Sequence, residues 1–534
     1  MSATPATSLT LISSGLADAR LQPTRGNPDV AQFVKVLRKT TRWAAQWNRV
    51  NFDGDPQFGQ RVSLTVPRIA ELVTGLQIVV TMPNIYAIQL RAIQAAGGTN
   101  LTNLGTFLGP VYGWTNSLGH ALIQQIELEI GGAIVESLDS RQLEMQDELY
   151  ETLESAIAKN AMIKRAPNGF TATTWLSPTP TTVQVPIPFW FSRPGVSSHA
   201  LPLDALNAEI VRIHVTFRAL NSLFYTAARV DSRTVGYNGN GDTTGMYNLL
   251  GGRFWKSNPA AAGRVYSMNP STPVTGISGE LIDGVRMPLR FDPIAAYAMI
   301  EYVSLEEYEA LAFRTAELTY PVEQHLAIPV QETLGTTEVR FAIPYSNPTK
   351  ELMWVFQRPE VAQYNAWFLF TRDLCGPAPP PFVPGPPQNP CTIPWWPNAT
   401  LIPTEANRYQ VVPAFQTSYS EPLAAATLLY NSYERFSQEG GSFFRTVQPA
   451  RCYVKSAIHD RYVYAYNFGQ KAERLMYGPS GAANWDKIPR KELFMTLNRG
   501  PLGSAPPNLN LYVYVTIWNI FKVYGGRGGM LFSN

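Results

Sequence analysis

Between Glu301 and Gln324 the chain reads EYVSLEEYEALAFRTAELTYPVEQ, and this stretch divides it in two. The run leading in, Tyr297 to Leu305, has the apolar and aromatic content of a buried strand. From Glu306 to Leu318 the pattern turns helical: Leu311, Ala312 and Leu318 recur at helical spacing while Glu306, Glu307, Glu309 and Arg314 stay polar. After Pro321 strand character resumes. A short helix between two β-rich halves is how one β domain ends and another begins, and a single core seldom grows past about 300 residues. A surface helix inside one large domain is the other reading. The expected organisation is an N-terminal arm over 1–29 and a first domain over 30–305 with a loop insertion at 221–287. An inter-domain helix over 306–318 and a second domain over 319–534, with a loop insertion at 359–422, complete it.

Composition supports β architecture in both halves. Only 16% of residues are charged, 45% are hydrophobic, and 43 prolines with 39 glycines supply turns; this mix favours sandwiches or barrels over helical bundles. A formal net charge of +3 is too small for a dedicated nucleic-acid binder, whose basic surface must release many counterions. No specific nucleic-acid binding is expected, and other proteins are the default partners. No apolar run reaches the roughly 18–20 residues needed to cross a bilayer, and Met1 to Ala17 lacks the basic start and apolar core of a signal peptide. A soluble subunit is expected. Cys375, Cys391 and Cys452 are too few for a disulfide scaffold or a tetrahedral zinc site.

Met1 to Pro28 is rich in Ser, Thr, Ala and Pro without periodicity, and reads as an arm that needs a partner to hold it. From Val30 the chain is basic and apolar together: Lys35, Arg38, Lys39, Arg42 and Arg49 stand among Phe33, Val34, Leu37, Trp43 and Trp47. This is either a contact for an acidic partner or a first strand with a solvated charged face. Val62, Leu64 and Val66 alternate with polar residues, Leu76 to Met82 is a second run, and Ile126, Leu128 and Ile130 form a third ending at Gly131-Gly132. Arg141 to Ile157, with Met145, Leu149, Leu153 and Ile157 four apart, is expected to be one amphipathic helix with an acidic outer side. Pro186 to Phe191 is a bulky apolar block, Ala200 to Leu206 reads as a short helical turn, and Val211 to Phe217 alternates as a strand. Asn221 to Met287 is polar and turn-rich, a long excursion from the sandwich.

The second half repeats this texture. Val339, Phe341 and Ile343 open it, followed by SNPTKELMWVFQ from Ser346 to Gln357. A proline-dense excursion centred on CGPAPPPFVPGPPQNPC comes next; proline removes backbone donors and cannot join a sheet interior. Strands return at Ala425 to Tyr430, Tyr462 to Phe468, Glu492 to Leu497 and Leu511 to Val523.

The order of these segments resembles the major capsid proteins of nucleocytoplasmic large DNA viruses. FGQRVSLTVPRIAEL is similar to the family's first strands, NSLGHALIQQIELEIGG to its approach to a strand ending in Gly-Gly, and VPIPFWFSRPGVSSHALPLDAL to its Pro-Phe-Trp-Phe block. EYVSLEEYEALAF resembles the inter-domain joint, NPTKELMWV a second-domain strand, and YGPSGAANW with YVTIWNIFKVYGGRGGMLF the closing segments. Two departures stand out: Ala70-Glu71 where the family has Gly-Asp before Leu72, and Ala310-Leu311 where the joint carries an arginine. The first leaves a turn geometry open, the second a salt bridge. The resemblance implies an all-β fold of two tandem eight-stranded jelly rolls, with short helices and long inserted surface loops. It also implies homotrimers with a pseudo-hexagonal outline, tiling of neighbouring capsomers into an icosahedral virion shell, and assembly in host cytoplasm. The excursions would then point outward, and the basic start inward toward minor capsid proteins or an inner membrane.

Site residues are few. Asn100 and Asn398 sit in Asn-x-Thr sequons, so each is a candidate for N-glycosylation or an unmodified asparagine, Asn398 being favoured. Cys375 and Cys391 bracket the proline block; a disulfide between them would constrain the unfolded chain by about 3 kcal/mol, and two free thiols is the other reading. The histidines His120, His199, His214, His325 and His459 form no His-x-His or His-Glu-x-x-His pattern, so no metal site is expected. His459-Asp460 is no dyad, because neighbouring side chains on a strand point to opposite faces. Gly525 to Gly529 lacks the Lys-Ser/Thr of a phosphate cradle and is expected to be a turn or a close-packed segment. No cofactor and no catalysis are expected. The rival reading, a two-domain jelly-roll hydrolase acting on glycans or peptides, needs paired carboxylates in a cleft; Glu306, Glu309 and Asp460 are the residues to test.

Overall fold

The computed structural model describes residues 42–82, 110–165, 181–192, 199–228, 294–359, 367–372, 421–457, 462–470, 480–499 and 505–532. Eight strands build the first sandwich: Trp43–Asn51 (β1), Arg61–Thr65 (β2), Leu72–Met82 (β3), Ile123–Ile130 (β4), Ala133–Asp139 (β5), Thr181–Pro186 (β6), Val211–Phe217 (β7) and Ala295–Leu305 (β8). Eight more build the second. They are Leu318–Ala327 (β9), Glu338–Ala342 (β10), Pro348–Gln357 (β11), Leu423–Tyr430 (β12), Tyr433–Gly440 (β13), Val463–Asn467 (β14), Lys491–Leu497 (β15) and Asn510–Tyr524 (β16).

The wiring of the two halves is the same. In the first, the sheets run β1-β8-β3-β6 and β2-β7-β4-β5; in the second, β9-β16-β11-β14 and β10-β15-β12-β13. Counted within each half, both are 1-8-3-6 over 2-7-4-5, and every pairing is antiparallel. That is the jelly roll, twice. The fourth and fifth strands of each half join through a two-residue turn with positive φ at both positions, Gly131-Gly132 (60° and 87°) and Asn431-Ser432 (49° and 73°). This primed turn matches the right-handed twist of the flanking strands.

Period-two alternation sorts each strand between two environments. In β7 the buried Val211, Ile213, Val215 and Phe217 face the first core. β11 and β16 are buried on both faces. Leu352, Trp354 and Phe356, with Leu511, Val513, Val515 and Ile517, fill the core of the second sandwich. Met353, Val355 and Tyr514 point the other way and join the core of the first, which Phe521 and Val523 also reach from the far end of β16. The sheet β9-β16-β11-β14 is therefore shared, with one face lining its own sandwich and the other closing the junction. Pro321 is tolerated inside β9 because that strand lies at the sheet's edge, where a missing N–H breaks no second ladder.

Helices are short: Leu118–Leu122 (α1), Ser140–Tyr150 (α2), Leu153–Ile163 (α3), Glu307–Thr315 (α4) and Gln448–Cys452 (α5). The expected single helix from Arg141 to Ile157 is two, broken at Glu151-Thr152, where Thr152 Oγ1 accepts from the Ser155 N–H to cap α3 (3.2 Å). The expected sidedness holds only in part: Met145 and Leu149 are buried as an apolar face should be, but the acidic side is not the outer one. Glu144, Asp147 and Glu148 are buried, while Leu153 and Ile157 are each 75% exposed. The acidic residues turn inward because Arg165 and Lys159 wait there to neutralise them.

The joint helix is shorter than 306–318. It ends at Thr315, Leu318 belongs to β9, and Leu311 is 56% exposed, so Ala310 is what this helix buries. Ala200 to Leu206 is not helical: Leu201–Pro202 adds a short strand to β3 and a run of turns follows. Strand β6 stops at Pro186, and Phe189, Trp190 and Phe191 pack as a buried non-strand block, Trp190 lying 5.4 Å from Phe521 between ring centroids. In the basic start, β1 occupies Trp43–Asn51 and residues 30–41 lie outside the described residues. Neither Ala70 nor Glu71 has positive φ, and the Glu71 carboxylate accepts the Leu305 N–H (2.9 Å), so this turn does not require Gly-Asp. At the joint, Arg314 of α4 pairs with Asp204.

Candidate functional site

Six of the residues singled out from the sequence fall outside the described residues: Asn100, Asn398, Cys375, Cys391, His459 and Asp460. Glu306 precedes α4 and is exposed, and Glu309 sits half-buried in the same helix. His120, His214 and His325 sit on different elements. His120 Nδ1 lies 2.5 Å from Glu144 Oε2; His214 is held between Ser63 Oγ (2.9 Å) and Glu129 Oε2 (2.6 Å); His325 lies between Gln146 Nε2 (2.8 Å) and Thr516 Oγ1 (3.1 Å). Among the described residues no group of three His, Cys, Asp or Glu could hold a metal ion.

What the fold brings together is a polar seam between the sandwiches. From the first side come Val135 and Asp139 of β5 and Arg141, Gln146 and Tyr150 of α2. Gln324 Nε2 donates to the Val135 carbonyl (2.7 Å), Tyr514 OH to Asp139 Oδ2 (2.5 Å), Arg141 Nε to Gln357 Oε1 (2.9 Å), and Tyr150 OH to Glu351 Oε2 (2.6 Å). The other carboxylate oxygen of Glu351 accepts from Thr516 Oγ1 (2.8 Å), and the guanidinium of Arg141 lies 4.0 Å from the Tyr512 ring centroid. Lys350 and Glu323 pair beside them at 2.5 Å. Burial pushes the Tyr514 hydroxyl well above its usual range, the Asp139 charge adding to the effect, so it stays a donor. Each bond adds about 0.5–1.5 kcal/mol, and more where the acceptor is charged. Their directionality fixes one register between the halves, which apolar burial alone does not.

Behind the seam, α2 and α3 close on a buried ionic cluster. Arg165 reaches Glu144 (2.6 Å) and Asp147, and Lys159 reaches Asp147 and Glu151 (2.7 Å). Burial by itself would raise the Asp147 carboxyl, but the Arg165 and Lys159 charges outweigh it and hold it at about 2. Burial likewise opposes the Arg165 charge, and the carboxylates of Glu144, Asp147 and Glu148 overcome it, pushing the guanidinium up. Arg218 is the opposite case: burial and the nearby Arg141 charge bring it down to about 9, and its guanidinium stacks 3.7 Å over Trp367. Sequence reading missed this cluster. Its signal is the basic pair Lys159 and Arg165 placed one helix after an acidic stripe.

The C-terminal glycines form the third contact. Gly525 and Gly526, at φ 59° and 81°, turn β16 into a final short strand, Arg527–Met530. A methyl group on Gly526 would stand 2.0 Å from Asn207 Oδ1 and 3.2 Å from the Ala208 nitrogen. The Ala208 N–H donates to the Gly526 carbonyl (3.0 Å) and the Gly528 N–H to Glu209 Oε2 (2.9 Å). Both expectations for Gly525 to Gly529, a turn and close packing, hold, and together they clasp the end of the chain to the first sandwich.

Two jelly rolls joined by a shared sheet suit a building block, and similar proteins agree. Residues 31–246 match the family described as major capsid protein N-terminus, and residues 309–529 the family described as large eukaryotic DNA virus major capsid protein. The chain is 22% identical to the major capsid protein of Chrysochromulina ericina virus, covering 98% of this chain and 99% of that one. It is also 22% identical to the major capsid protein of Paramecium bursaria Chlorella virus 1, with 98% of each covered. Among solved structures, a chain of the PBCV-1 virus capsid superposes with a TM-score of 0.60 at 19% identity over 94% of this chain and all of that one. The Faustovirus major capsid protein superposes at 0.56 and 10% identity over 93% of each. These structural likenesses establish the shared fold, while the sequence matches reach both halves in order. The chain belongs to the major capsid proteins of large eukaryotic DNA viruses, structural components of the virion rather than enzymes.

Proposed function

We propose that this subunit self-assembles into homotrimeric, pseudo-hexagonal capsomers that tile an icosahedral shell. One observation carries the reading: two sandwiches of identical strand order are locked into a single body by a shared sheet, the polar seam and the C-terminal clasp. Three such bodies around a threefold axis present six near-equivalent sides, which suits hexagonal packing. The domain organisation that goes with it is an arm over 1–29, sandwiches over 30–305 and 319–534, and the joint helix between them. Within the insertions at 221–287 and 359–422, Phe224–Ala228 is a strand paired with Pro110–Trp114 and Phe368 to Phe370 are buried, so the remaining parts would form the outer surface of the capsomer. Asn398 would be a glycosylation site there, Asn100 a second candidate, and Cys375 with Cys391 a disulfide closing the proline block. The basic N-terminal side would face minor capsid proteins and an inner membrane, with no specific contact to nucleic acid, and assembly would take place in host cytoplasm.

Light scattering behind a sizing column tests the core of this reading. A trimer of the 59.2 kDa chain has a mass of about 178 kDa, and a sharp species there that resists dilution is the expected result. A folded monomer that no assembly chaperone converts to trimer would overturn it.

A further inference from the structure

A groove of about 620 Å³ runs along the outer face of the first sandwich, between the edge strand β1 and helix α3. Trp43 and Trp47 line it from β1, Ala158 and Met162 from α3, and Glu301 from β8. Gly75 leaves room for the Trp47 ring: a methyl group there would stand 2.9 Å from the Trp47 ring and 2.9 Å from Glu301 Cβ. The two indoles are nonetheless 62% and 43% exposed. Paired aromatic rings left open in a groove next to an unmatched strand edge mark a docking surface rather than ordinary surface. Among the described strands, β1 pairs with β8 on one side and with none on the other.

Chain continuity and charge name the occupant. The residues immediately before β1, VAQFVKVLRKTT over 30–41, arrive at the groove's own lip, since Arg42 precedes Trp43. Extended, these twelve residues span about 40 Å, more than the roughly 30 Å of a nine-residue strand. They can double back along the whole of β1. Phe33, Val34, Val36 and Leu37 supply the apolar surface that two indoles and Met162 would cover, and Lys35, Arg38 and Lys39 supply cations for the Glu301 carboxylate, which lines the groove where Lys159 is already taken up by Asp147 and Glu151. We propose that residues 30–41 fold back over β1 and fill the Trp43–Trp47 groove of their own subunit. Residues 1–29 would then leave from the far end of the groove, so the groove sets the point at which the arm departs.

The test uses the full chain with the photo-cross-linking residue benzoylphenylalanine in place of Ala158, on the α3 side and far in sequence from the arm. Irradiation should give a product of monomer mass on a denaturing gel whose digest joins α3 to a peptide from residues 30–41. A product of dimer mass, which would mean another copy's segment, a cross-link to any other part of the chain, or no cross-link would each overturn the proposal. Adding Trp47→Ala should abolish the cross-link, and its persistence would count against the groove as the seat. Hydrogen exchange of the unlabelled wild-type chain gives an independent reading: amides of 30–41 should be slowed, and released by Trp47→Ala, whereas full exchange in the wild type would overturn the assignment.

Discussion

The Tyr150 hydroxyl, at the last residue of α2, donates a 2.6 Å hydrogen bond to Glu351 Oε2 in the middle of β11. It joins the two sandwiches at a carboxylate that has no exposure to water. Tyr150→Phe removes the donor without changing the ring, and is expected to cost about 1–3 kcal/mol because the acceptor stays buried with one donor fewer. Tyr433→Phe, on a ring that is 80% exposed, should stay within about 0.5 kcal/mol. Thermal unfolding of the two variants against wild type measures the difference.

Met353 and Leu352 are adjacent in β11 and face different cores. Met353→Ala and Leu352→Ala should each cost about 2–5 kcal/mol. Because the sheet is common to both sandwiches, calorimetry should show one unfolding transition for wild type and for both variants. Two separated transitions would mean that the halves melt independently.

Gly526→Ala forces a side chain into the left-handed region and into Asn207 at once. A loss of about 1–3 kcal/mol is expected. Gly529→Ala, where a methyl group meets nothing within 4 Å, should be neutral to about 0.5 kcal/mol. Denaturant midpoints at constant slope make the comparison.

Asp147 titrates at about 2 in the fold against an ordinary value of 3.8. A carboxylate depressed in the folded state contributes stability that is fully present above the unfolded value and is lost as pH falls toward the folded one. Stability should therefore drop by about 2 kcal/mol from this group between pH 5 and pH 2. Arg165→Met should cost about 3–5 kcal/mol near neutral pH, since it strands buried carboxylates, and should flatten that acid limb. Urea titrations at both pH values check the two effects together.

Strands with one wet face were easy to read. Val211 to Phe217 and Val339 to Ile343 alternate cleanly because water sits on one side of them. Joining the halves at Glu301 to Gln324 was also legible, since periodicity changes there from two to helical and back. The seam was not. Lys350, Glu351 and Gln357 look like solvent-facing positions of an ordinary strand, and their partners, Glu323, Tyr150 and Arg141, lie in other segments of the chain. The same limit hid the second buried side of α2, where Glu144, Asp147 and Glu148 read as a solvated stripe until Lys159 and Arg165 are placed against them. Strand β13, YERFSQEG, was missed because its residues are mostly polar or charged and its place at a sheet edge asks for little apolar content.

The shared sheet has a bearing on synthesis. Met353, Val355 and Tyr514 join a core in which first-sandwich residues are the majority, and those residues are encoded upstream of them. A ribosome therefore delivers the first sandwich and α2 before Pro348–Gln357 emerges, and the nascent β11 finds its outer neighbour already waiting. Translation order thus shields an apolar face that would otherwise be open to other chains during the making of a protein needed in many copies.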